Sequence, residues 1–192
     1  AILSREPATL VRRGLPGEEA LGSRLITATV GGLSFTTVYC PNGKSTDHDD
    51  FPRKLAWFDS LHRLLEAEHD SGQSVVLCGD LNIVPTPMDT WDEAAMAGRI
   101  FHTDAERARL QRLHGWGVTD LFRPHPPEAK LFSWWDYRAA AFQRNHVLGI
   151  DLLLGTATVA TRVRHAEVDR DYRKKQDGLT ASDHAPVIVE LD

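Results

Sequence analysis

A charge inside an apolar strand constrains this chain more than any other feature. Asp151 stands in the run Gly149-Ile150-Asp151-Leu152-Leu153-Leu154. The run reads as a buried strand, and a carboxylate there is costly unless it is paired. An imidazole is the natural partner, because pairing orients the ring and raises its basicity. His184, in Ser182-Asp183-His184-Ala185-Pro186, is the candidate. The fold must therefore bring two distant stretches together at one strand.

The periodicities supply a frame for that meeting. Residues 25–30 and 33–39 alternate and are rich in β-branched side chains, and the Gly31-Gly32 pair between them predicts a hairpin. Residues 74–78 form a short apolar run that reads as a fully buried strand. Leu55, Phe58, Leu61 and Leu65 share one face of a helix that begins near Asp50 and ends by Ser71-Gly72. Thr103 and Glu106 form a capping box for a second helix that stops near Gly115. Residues 132–137, 150–154, 159–168 and 185–191 read as further strands, and the apolar start at residues 1–4 reads as part of another. Strands and helices intermix, which predicts one mixed α/β domain over residues 1–192, sheet packed on sheet with helices outside.

Composition narrows the function classes. The 192 residues carry a net charge of −5, so bulk positive charge cannot hold a polyanion and a nucleic-acid ligand needs a local surface or a cation. No apolar run approaches the roughly 20 residues of a membrane span, so no membrane partner is expected. Two cysteines, Cys40 and Cys78, make no disulfide framework or zinc motif, and a reducing, cytoplasmic setting follows.

Four clusters carry polar groups where the chain enters or leaves the core. They are Tyr39-Cys40-Pro41-Asn42-Gly43, Gly79-Asp80-Leu81-Asn82, the Asp151 run and the Asp183-His184 string. Asp80 and Asn82 are two apart, so a continuing strand points both to one side. With Asp183 they offer hard oxygen donors and no thiolate, a set suited to Mg2+ or Mn2+. Such a set predicts metal-assisted phosphoester hydrolysis.

The order of these motifs resembles the exonuclease III type of AP endonuclease, within the endonuclease/exonuclease/phosphatase superfamily. The string Ser133-Trp134-Trp135-Asp136-Tyr137-Arg138 narrows the resemblance to the exonuclease III branch, away from the superfamily's phosphatases. Arg12-Arg13-Gly14-Leu15-Pro16-Gly17 and Asp120-Leu121-Phe122-Arg123 also match. The resemblance implies a four-layered α/β sandwich of two packed mixed sheets and outer helices, missing its first strands. It implies cleavage of DNA 5′ to abasic sites and removal of 3′ nucleotides or blocking groups from duplex DNA, with Mg2+ or Mn2+. Tyr39, Asp80, Asn82, Asp151 and His184 are then catalytic. Asp80, Asn82, Asp183 and His184 are metal-binding, and Asn42, Trp134 and Arg138 contact DNA. The implied partners of this monomer are duplex DNA with abasic sites or 3′ ends and a separate N-terminal segment.

Two departures from the family pattern shape the expectations. The family's upstream strands, one bearing an asparagine and one a metal-binding glutamate, precede the position of Ala1. Glu66, Glu68 and Glu106 are expected on solvated helix surfaces and do not replace that glutamate. A catalytically impaired DNA-binding remnant is therefore the second reading. Gly149 stands where the family has arginine, which implies a lost basic contact with substrate. At least one tryptophan of Trp134-Trp135 is expected in the core, and the mixed-charge stretch 162–175 is expected as a solvated face.

Overall fold

The computed structural model describes residues 1–123, 130–174, 178–179 and 181–192. Three antiparallel strands open the fold: β1 (Thr9–Arg13), β2 (Leu25–Val30) and β3 (Leu33–Tyr39). Gly31 and Gly32 both take positive φ and turn the β2–β3 hairpin. Helix α1 (Asp50–Glu68) then crosses over to β4 (Val75–Asp80), which pairs parallel to β3. A short α2 (Glu93–Met96) precedes α3 (Asp104–Trp116), and β5 (Val118–Asp120) follows. After α4 (Ala141–Arg144) come β6 (Asp151–Thr156), α5 (Ala157–Ala160), β7 (Val163–Val168) and β8 (Val187–Leu191).

The result is a mixed α/β fold, with a six-stranded mixed sheet in the order β1-β2-β3-β4-β6-β5 and an antiparallel β7–β8 pair. Neighbouring side chains of β4 explain why the large sheet is covered on both faces. Leu77 joins the core that Trp57, Phe58, Leu61 and Leu65 of α1 share with Leu110 and Leu113 of α3. Val76 points the other way and packs with Val163, Val189 and Leu191 of the small sheet. Among the described residues no helix is long and apolar enough to cross a membrane.

Several expectations shift. Residues 1–4 form no strand, and β1 lies later, at Thr9–Arg13. Residues 132–137 form no ladder either, because their polar groups tie separate segments together. Ser133 Oγ accepts from Asp151 N at 3.1 Å, while Trp134 bridges to Leu148 on one side and His184 on the other. The stretch 159–168 divides into the end of α5 and all of β7. Glu66 and Glu68 are exposed, but Glu106 is wholly buried against Lys54. Arg173 is buried as well, donating to the Trp135 carbonyl at 3.2 Å, so stretch 162–175 is not uniformly solvated. Its last residue, Lys175, lies outside the described residues.

Candidate active site

Three neighbouring strands end in one row of polar side chains. Tyr39 closes β3 and is the parallel partner of Asp80, which closes β4. Asp80 is in turn the antiparallel partner of Asp151, the first residue of β6. A sheet register of this kind fixes its side chains more firmly than a loop does.

His184 reaches the row from the segment before β8. Its Nδ1 lies 2.8 Å from Asp151 Oδ2, which leaves Nε2 to meet a ligand. The preceding Asp183 accepts from Trp134 Nε1 at 3.0 Å, and its carbonyl accepts from Trp135 N at 3.0 Å. The Ser-Trp-Trp string thus holds the Asp183-His184 string in place, which neither motif announces alone. Trp135 is buried in the core, as one of the pair was expected to be, and Trp134 lines the cleft.

Asn82 arrives by a route different from the one expected. The strand stops at Asp80, and Asn82 turns back in the left-handed region at φ 52°. Asparagine tolerates that conformation through local hydrogen bonds. Asn82 N donates to Asp80 Oδ1 at 2.9 Å, and Nδ2 donates to Asp80 Oδ2 at 3.1 Å and to the Cys40 carbonyl at 3.0 Å. Asn42 Nδ2 approaches Asn82 Oδ1 at 3.4 Å.

These groups open onto a cleft of about 480 Å³ lined by Tyr39, Asn42, Asp80, Asn82, Trp134, Arg138, Asp183 and His184. Asp151 stands behind His184 as its support. The side chain of Arg138 is exposed at the rim and forks onto Asp136, at 2.7 Å between Nη2 and Oδ2. Residues that sequence reading passed over complete the walls. Trp91 and His146 stack at 3.9 Å between centroids and 9° between planes, and Phe101 adds an apolar side. They come from loops without periodicity, and no motif marked them.

Electrostatics divides the carboxylates. Burial pushes Asp80 up, the facing Asp151 carboxylate pushes it further, and its pKa reaches about 6. Burial opposes charge on His184, but its bond to Asp151 and the nearby charges of Asp151, Asp80 and Asp183 outweigh it and raise its pKa. An acid that titrates near neutrality beside a stabilised imidazolium suits proton transfer and binding of an anion.

The same set falls short of a metal centre. Asp80, Asn82 and Asp183 are hard oxygen donors in one cleft, yet among the described residues no three His, Cys, Asp or Glu side chains gather where a cation would sit. Gly149 also reads differently in three dimensions. A Cβ there would run into the Leu131 carbonyl oxygen, so this backbone contact demands glycine whatever a longer side chain offers DNA.

Known proteins share this arrangement of strands and motifs. The model of the Endonuclease/Exonuclease/phosphatase family matches residues 1–184. Exodeoxyribonuclease III of Haemophilus influenzae is 34% identical over 204 aligned positions, covering all of this chain and 75% of the relative. A Neisseria 3′ phosphatase solved with product DNA hairpin superposes with a TM-score of 0.90 at 35% identity, over 98% of this chain and 73% of that one. An AP endonuclease from Archaeoglobus fulgidus gives a TM-score of 0.91 at 27% identity, with the same coverage of both chains. The chain belongs to the Endonuclease/Exonuclease/phosphatase family, in its exonuclease III-type branch.

Proposed function

We propose that this chain is a DNA repair phosphodiesterase that cleaves 5′ to abasic sites and removes 3′ nucleotides or blocking groups from duplex DNA. The observation that carries the reading is the His184–Asp151 contact of 2.8 Å set beside the Asp80–Asn82 turn in one cleft. Relatives that are named as nucleases, and one solved with product DNA, support a catalytic role over that of a binding remnant.

In this reading Asp80 aligns the attacking water and takes its proton. A carboxyl group with a pKa of about 6 is matched to that task near neutral pH. The Asn82 amide, fixed by Asp80 and Cys40, donates to the charge that develops on the phosphorus oxygens. His184, oriented by Asp151, presents Nε2 to the phosphate as a cation or proton carrier. Tyr39, 53% exposed at the cleft edge, steadies the leaving oxygen. Asn42, Trp134 and Arg138 lie where the DNA strand would pass. The reading includes Mg2+ or Mn2+ to offset phosphate charge, with oxygens of Asp80, Asn82 and Asp183 as partial ligands; the incomplete set assigns it no step.

Incubation with a duplex that carries one abasic site tests the proposal. Scission 5′ to the site, present with Mg2+ and lost with a chelator, is the expected result. Intact DNA at saturating Mg2+ contradicts it.

A further inference from the structure

Two fully buried charges meet beneath the cleft. Lys54 of α1 and Glu106 of α3 are both 0% exposed and are ion-paired. Lys54 Nζ also donates to the carbonyl oxygen of Asn82 at 2.6 Å. That carbonyl belongs to a left-handed residue beyond the end of β4, so no strand ladder bonds it.

Two other walls of the cleft rest on the same pair. Glu106 Oε1 accepts from Phe101 N at 3.0 Å, and the Phe101 ring lies 4.8 Å from Lys54 Nζ. Phe101 is itself a left-handed residue, at φ 72°. A Cβ on Gly43 would touch Lys54 Cδ at 3.0 Å, so the Asn42-Gly43 loop lies on the lysine stem. Three separate segments thus rest on one buried ion pair and the lysine stem.

We propose that Lys54, sealed beneath the site with Glu106, is a positioning residue that pins the Asn82 carbonyl and thereby holds the Asn82 amide against Asp80. The inference deepens the nuclease reading and concerns how its amide donor is placed. A buried ion pair contributes little net stability over an apolar pair of the same volume. Its particular contribution here is a hydrogen-bond donor, fixed from below, where a turn of unfavourable φ needs one. Glu106 holds the donor in place: its other oxygen accepts from Thr103 Oγ1 at 2.7 Å and Thr103 N at 3.0 Å, so the carboxylate cannot swing away. Burial lowers the Lys54 pKa and Glu106 partly restores it, in keeping with an ammonium that depends on its partner.

The test uses the full chain and two variants. Lys54→Met with Glu106→Gln removes both charges at nearly constant volume, while Glu106→Gln alone leaves the lysine donor in place. Hydrogen exchange at the Asn82 backbone amide, which donates to Asp80 Oδ1, is read without DNA or metal. The double variant should melt within about 5 °C of the wild type yet exchange that amide at least about ten-fold faster. On the abasic duplex its kcat should fall at least about ten-fold while KM moves less than about three-fold. Glu106→Gln alone keeps an acceptor for Lys54 but leaves its ammonium without a counter-charge, so its Tm should fall by several degrees while exchange of the Asn82 amide rises less than about ten-fold.

A folded double variant with unchanged Asn82 exchange overturns the inference. So does a single Glu106→Gln variant that accelerates exchange ten-fold or more, and that comparison decides the matter if the double variant does not fold. Because the exchange arm needs no catalysis, failure of the nuclease reading leaves this result standing or falling separately.

Discussion

Asp80 and Asp151 are direct partners across the antiparallel β4–β6 ladder, two carboxylates placed opposite one another at the same end of the sheet. His184 relieves one of them by bonding Asp151, and the other stays half-buried beside a like charge. Like charges opposed in a sheet are destabilising, and the sheet carries them at the point where the cleft opens. That cost is what a site of chemistry looks like in a fold otherwise consistent with its sequence.

Asp80 should make the metal-free chain less stable as pH rises. Its folded pKa, about 6, lies above the ordinary aspartate value of 3.8. Folding therefore favours the protonated form: the contribution is complete below the unfolded pKa and lost as pH passes through the folded one. The stability of the wild type relative to Asp80→Ala should drop by about 2 to 3 kcal/mol between about pH 4 and pH 7. Denaturant titrations with chelator present check this, and a pH-independent difference contradicts it.

The Asp151–His184 pair predicts the alkaline limb of activity. The carboxylate raises the His184 pKa against the pull of burial, so Asp151→Asn should move the pH at which activity fails downward. The loss in kcat should be about 100-fold or more, as for a proton carrier without its orienting group. A pH–rate profile of the variant with its alkaline limb unmoved contradicts the pairing role.

Lys54→Met alone, unlike the double variant, should leave the Glu106 charge buried and unpaired. Breaking such a pair on one side costs about 3 to 5 kcal/mol. Thermal unfolding should show a large fall in Tm, most of it recovered when Glu106→Gln is added.

Gly149→Arg puts a family-like residue back and should not tighten DNA binding. Its Cβ meets the Leu131 carbonyl, so the substitution forces the backbone apart. The expected result is a fall in stability of at least about 1 to 3 kcal/mol, the usual cost of overpacking, without gain in affinity for an abasic duplex. Tighter binding at unchanged Tm contradicts this account.

Much of the site was legible because its residues violate their surroundings. A carboxylate in an Ile-Leu strand has to be paired, and His184 was the candidate partner that the structure places on Asp151. The β2–β3 hairpin was equally plain from Gly31-Gly32 between alternating runs. Glu106 misled for a physical reason: a capping-box glutamate in the first turn of a helix normally faces water, and only tertiary contact with Lys54 reveals otherwise. Lys54 sits among the apolar positions of α1, where nothing local marks a buried ammonium. The segment 132–137 has strand composition, yet Ser133 bonds the start of β6 and Trp134 bonds Asp183, and periodicity does not register such ties. Trp91 and His146 meet across 54 residues of intervening chain, a contact that sequence spacing cannot show.

The proposed function has Asp80 and His184 act on one phosphodiester from one cleft. The single-turnover rate of cleavage of an abasic duplex with Mg2+, compared among the wild type, Asp80→Ala and His184→Ala, tests it most directly. Each variant should lose at least about 100-fold in rate while keeping its affinity for the duplex within about ten-fold. Cleavage at the wild-type rate by either variant contradicts it.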